Sequence, residues 1–66
     1  MRRGITKKEL EILVLVAEGY ESTDIAKKLE NSVRTIQNIR SRMLTKFNVN
    51  NSSELVAIAF RKGIIK

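Results

Sequence analysis

One stretch constrains this chain more than any other. Residues Ser32 to Phe47 contain neither Gly nor Pro and open on a residue type that caps helices. At about 100° per residue, Ile36, Met43 and Phe47 fall within roughly 20° of one another, with Ile39 and Leu44 flanking them. Arg34, Asn38, Ser41, Arg42 and Thr45 fall on the opposite side, and Gln37 sits at the margin. The spacing predicts a helix from Val33 to about Phe47 that anchors one side in a core. The other side presents guanidiniums, amides and hydroxyls, and no carboxylate. Those are the groups that contact phosphates and base edges.

The 66 residues suffice for one small domain. Cys and His are both absent, so a disulfide framework and a zinc finger are excluded and no metal or cofactor is expected. Without a clustered carboxylate pair or a Gly-rich phosphate loop, Ser22, Ser32, Ser41, Ser52 and Ser53 have no base to activate them. The chain is therefore not expected to be an enzyme. Its longest run without a polar residue, Ile12 to Ala17, is far too short to span a membrane. Glu9 and Glu11 break any resemblance of the start to a signal peptide.

The placement of charge is more telling than its net value of +6. Residues 1–30 hold six Lys/Arg and six Asp/Glu, which cancel; residues 31–66 hold seven Lys/Arg and only Glu54, giving 7 − 1 = +6. All the excess lies in the half that begins with the polar-faced helix, and a polyanion is its natural partner.

Taken in order, residues 1–5 read as a loose basic arm. Thr6 and Glu9 fit a capping box for a first helix from about Lys7 to Glu18, closed by Gly19. Its apolar residues form two stripes, Leu10, Leu13, Val14 and Ala17 against Ile12, Leu15 and Val16. Such a helix is either deeply buried or in contact with something on its second side. Glu21 or Ser22 caps a short second helix ending near Leu29, with Ile25, Ala26 and Leu29 inward. Glu30, Asn31 and Ser32 leave room only for a turn. After Asn48-Val49-Asn50, Asn51 and Glu54 mark the start of a fourth helix reaching about Lys62, and Ile64 and Ile65 can fold back onto the core. The expectation is an all-α, four-helix domain (about 7–18, 22–29, 33–47 and 51–62) whose second and third helices form a helix-turn-helix.

Several ordered segments carry a resemblance: Ile5-Thr6-Lys7-Lys8-Glu9, Glu11-Ile12-Leu13, Ala17-Glu18-Gly19-Tyr20, and Asp24-Ile25-Ala26-Lys27-Lys28-Leu29. They continue with Ser32-Val33-Arg34-Thr35-Ile36, Arg40-Ser41-Arg42-Met43, Lys46-Phe47-Asn48-Val49 and Glu54-Leu55-Val56-Ala57. Together these resemble the LuxR/GerE/NarL-type helix-turn-helix domain of bacterial transcription regulators, over about residues 5–65. The resemblance implies a cytoplasmic regulator binding double-stranded DNA with the third helix in the major groove. It implies base contacts from Gln37, Asn38 and Ser41. It implies phosphate contacts from Arg34, Thr35, Arg42 and Lys46, with Ser22 or Thr23 at the start of the second helix. It further implies a homodimer through the fourth helix, with Asn51, Leu55, Ile58, Ala59 and Lys62 as candidates; for the apolar ones, plain core packing is the alternative. Arg40 lies about 40° from the centre of the apolar stripe, where it can run along the core edge with its head outward.

The chain departs from the family pattern at Glu30-Asn31, where Gly and an apolar residue are common, at Gln37, often basic, and at Ile39, often polar. Leu10 and Val14 stand where the family tends to be polar. Burial is their expected role; contact with a sister domain, a regulatory domain or RNA polymerase is the alternative. Most members carry the domain behind a receiver or ligand-binding domain, so the chain reads as either a freestanding regulator or an excised domain. The rival function is a helical protein-interaction module working through the apolar face of the first or fourth helix.

Overall fold

A computed structural model of the chain, describing residues 4–66, contains α1 (Lys7–Ala17), α2 (Ser22–Leu29), α3 (Val33–Phe47) and α4 (Ser52–Arg61), with no strand among the described residues. The expected all-α architecture is the one observed, with helix ends within a residue of the expected ones.

Local chemistry sets the helix starts. The Thr6 hydroxyl accepts from the Glu9 N–H at 3.1 Å while Glu9 accepts from the Thr6 N–H at 3.0 Å, completing the box. Ser32 accepts from the Thr35 N–H at 3.0 Å, and Asn51 accepts from the Glu54 N–H at 2.9 Å. Glu54 does not return a bond to Asn51; its carboxylate takes the Asn50 N–H at 2.8 Å. Glu21 is the N-cap of α2, yet its side chain makes no capping bond.

All four helices end alike. Each closes with a six-to-one hydrogen bond: Tyr20 to Leu15, Asn31 to Ala26, Val49 to Leu44, and Ile64 to Ala59, all between 2.9 and 3.1 Å. This closure needs a left-handed residue. Gly19 and Gly63 supply it without steric cost, Asn48 at φ 58 supplies it tolerably, and Glu30 adopts it at φ 55. The turn entering α3 thus keeps the geometry a glycine would give, despite the departure in sequence. Asn31 adds a bond from its side-chain amide to the Leu29 carbonyl at 3.3 Å.

α3 packs against each of the other three helices, and α1 also packs on α4. Ile12, Leu13, Ile25, Ile36, Met43, Leu55 and Ala59 are fully enclosed, with Ile5, Ala26, Ile39 and Ile65 nearly so. Three expectations change here. Ile5 belongs to the core rather than to a loose arm: it precedes the Thr6 cap, where an apolar residue folds back onto the first turn of the helix. Residues 1–3 of that arm lie outside the described residues. The inward side of α3 is centred on Ile36, Ile39 and Met43, and Phe47 is only half-buried. Val14, expected to bury, is exposed.

Candidate nucleic-acid interface

Because Ile36, Ile39 and Met43 hold one side of α3 in the core, Arg34, Gln37, Asn38, Ser41, Arg42 and Thr45 are all exposed. The face they form carries two guanidiniums and no carboxylate. The start of α2 lies beside it. Ser22, Thr23 and Gln37 border one groove of about 420 Å³, together with Arg40 and Ser52. The first turn of α2 has no side-chain cap, which leaves its backbone N–H groups available to an acceptor; the Glu21 carboxylate borders the same groove, and Asp24 lies in that turn.

Hydroxyl geometry adds to this. A hydroxyl has one proton and two lone pairs. Ser32 Oγ and Thr35 Oγ1 lie 2.9 Å apart; with Ser32 as donor, the proton of the half-buried Thr35 hydroxyl is available to another acceptor.

Lys46 is placed differently from its sequence reading. Its Nζ lies 2.6 Å from Glu9 Oε1, tying the end of α3 to the start of α1. Its ammonium is therefore already engaged, and a phosphate would compete with a carboxylate for it. Burial pushes the Glu9 carboxyl up, but the Lys46 hydrogen bond, the Thr6 N–H and the charges of Lys46 and Arg42 outweigh it and hold the pKa below the ordinary Glu value. Nothing in the sequence marks a pairing across 37 positions.

Arg40 does extend from the core edge, and its head goes to two hydroxyls. Nη1 donates to Ser22 Oγ at 2.8 Å, and Nη2 donates to Ser52 Oγ.

The α4 candidates divide. Leu55 and Ala59 have no exposed surface, so they serve the core and cannot touch a partner; their one-turn spacing fits either role, and packing against α1 and α3 decided it. Asn51 and Lys62 are exposed and Ile58 is half-buried. Ile58 and Lys62 border a cleft of about 740 Å³ with Phe47 and Ile64. On the α1 side, Val14 (37% exposed) and Phe60 (50%) flank a shallow apolar groove with Leu10 and Ala17. No helix among the described residues is long and apolar enough to cross a membrane.

Residues 3–59 match the family described as bacterial regulatory proteins, luxR family. The chain is 42% identical over 62 residues to the oxygen regulatory protein NreC of Staphylococcus epidermidis, covering 94% of this chain and 28% of that protein. It is 41% identical over 61 residues to NreC of Staphylococcus haemolyticus (92% and 28%) and 40% identical over 63 residues to NreC of Staphylococcus carnosus (96% and 29%). The chain thus spans less than a third of the length of these relatives.

Proposed function

The chain belongs to the luxR family of bacterial regulatory proteins, with the helix-turn-helix domain of DNA-binding transcription regulators, and from that membership we propose how it engages DNA. It binds double-stranded DNA sequence-specifically, in the cytoplasm, with α3 in the major groove. Gln37, Asn38 and Ser41 read base edges; Gln and Asn suit bidentate pairing with adenine, and Ser is permissive. Arg34, Arg42, Thr35 and the Ser22–Thr23 turn hold phosphates. The observation that carries this reading is the outward face of α3, all polar, free of carboxylate and flanked by the uncapped start of α2.

Dimerisation on paired half-sites uses Asn51, Ile58 and Lys62. Leu55 and Ala59 are withdrawn from that surface because the fold buries them.

The test is affinity for duplexes selected from random sequence, measured by fluorescence anisotropy over a salt series. Two free guanidiniums should give a slope of about −1.8 in log affinity against log salt per domain. Asn38→Ala should reduce binding to the selected site with little change on random DNA. Arg34→Ala and Arg42→Ala should reduce both alike and each lower the slope by about 0.9. A flat salt response would refute the reading. It would favour the second one, a protein-interaction module, which the exposed Val14 and Phe60 support.

A further inference from the structure

The face that reads DNA leaves Arg40 without a role, yet this side chain makes the longest-reaching polar contacts of α3's middle. Ser22 is the first residue of α2 and Ser52 the first of α4, so one guanidinium ties the opening turns of two helices to the third. The rigid, planar fork of Arg can serve two acceptors in fixed directions; an ammonium on a flexible stem cannot do so equivalently. Among the described residues no carboxylate pairs with Arg40. Removing it would strand no buried opposite charge, and both hydroxyls border an open groove where water can replace it. The tie therefore acts on the local placement of these helix starts more than on the stability of the whole fold.

Proton geometry adds to that placement. By accepting from Arg40, Ser22 Oγ has a lone pair filled from the protein side, which leaves its own O–H free to rotate toward the groove it shares with Thr23 and Gln37. Donation from a cation also polarises that O–H and strengthens it as a donor. We propose that Arg40 is a positioning residue for DNA binding. It fixes the opening turns of α2 and α4 against α3 and presents the Ser22 hydroxyl as a donor, without itself touching phosphate. The proposal rests on the DNA-binding reading above.

Four variants of the full chain test it: Arg40→Met, Arg40→Lys, Ser52→Ala, and Ser52→Ala combined with Arg40→Met. Exchange of the Ile25 and Leu55 amides, which make the first intrahelical bonds of α2 and α4, reports the opening turns without DNA. Anisotropy on the selected duplex over a salt series reports binding. Arg40→Met is expected to speed exchange at both amides and weaken binding roughly tenfold, in keeping with loss of charged hydrogen bonds, with the salt slope unchanged. Arg40→Lys, which keeps the charge but not the fork, should behave like Arg40→Met. Ser52→Ala should reproduce part of the effect and add nothing in the Arg40→Met background.

A slope reduced by about 0.9 in Arg40→Met would make Arg40 a phosphate contact and overturn the proposal. Full rescue by Lys, or unchanged affinity, would overturn it as well. Should Arg40→Met lose cooperative melting, Ser52→Ala decides alone: weaker binding and faster Leu55 exchange uphold the tie, and neither overturns it. Wild-type protein that binds no duplex would refute the DNA-binding reading instead, and exchange at Ile25 and Leu55 would still uphold or overturn the tie between helices.

Discussion

Glu30 is where this backbone asks most of its sequence, and replacing it with Gly should stabilise the domain. Its φ and ψ of 55° and 49° are left-handed, a region that costs an ordinary L-residue about 1–2 kcal/mol. Introducing Gly returns about 0.4–1 kcal/mol of that through the greater freedom of the unfolded chain. Glu30 also sets an exposed carboxylate at the negative end of α2, unfavourable by about 0.3 kcal/mol. The net expectation for Glu30→Gly is a gain of about 1 kcal/mol, or a rise in Tm of about 4–8 °C for a domain of this size. Thermal and urea melts followed by circular dichroism measure it. Glu30→Ala separates the causes, since it removes the charge and keeps the strain; it should gain only a few tenths of a kcal/mol. Glu30→Asn should fall between the two, because Asn48 already holds the same conformation at the end of α3. If Ala stabilises as much as Gly, charge rather than backbone conformation accounts for the effect, and the strain argument fails.

Other expectations follow from the core and the ion pair. Ile36 is fully enclosed, so Ile36→Ala should cost about 2–5 kcal/mol, a large part of the roughly 3–10 kcal/mol available to a domain of this length; unchanged urea midpoints would show that α3 packs by another face. Glu9→Gln keeps an acceptor for the Thr6 N–H but removes the charge beside the third-exposed Lys46, a loss of about 1 kcal/mol after allowing for solvent screening. Because the folded pKa of Glu9 lies below the ordinary value, its contribution is complete above about pH 4.3 and is lost as pH falls through the lower folded value; an equally large gap between wild type and Glu9→Gln on both sides of that window, in urea melts, would contradict the pairing.

Most of the helical framework is legible from neighbours in sequence. Thr6 with Glu9, Ser32, Asn51, Gly19 and Gly63 act within a turn of themselves, so local chemistry marks the boundaries. The outward face of α3 is legible for a similar reason: helical period separates Asn38 and Arg42 from Ile36 and Met43. What local reasoning could not reach depends on distance in the chain. Leu55 and Ala59 look the same in sequence whether they meet α1 or a second copy. Val14 and Phe60 are apolar like their neighbours, and only the packing of α1 on α4 shows that this pair stays outside. The contacts of Lys46 with Glu9 and of Arg40 with Ser22 and Ser52 span 37, 18 and 12 positions, and no spacing rule covers them.

Those three contacts change what the charge of α3 means. Counted in sequence, the helix offers four cations, Arg34, Arg40, Arg42 and Lys46. In the fold, Lys46 is spent on a carboxylate at the start of α1, and Arg40 on hydroxyls at the starts of α2 and α4. Between them they link α3 to the other three helices. Among the described residues Arg34 and Arg42 form no ion pair, and they lie exposed on the same side as Asn38 and Ser41. A count of charges would predict a salt slope of about 3.6 per domain, and the fold predicts about half of that. The four cations of α3 are thus divided: Lys46 and Arg40 bond to neighbouring helices, and Arg34 and Arg42 stay on the exposed face that the proposed reading turns toward DNA. A slope near the smaller value would mean that position, not charge density, governs how this helix meets its site.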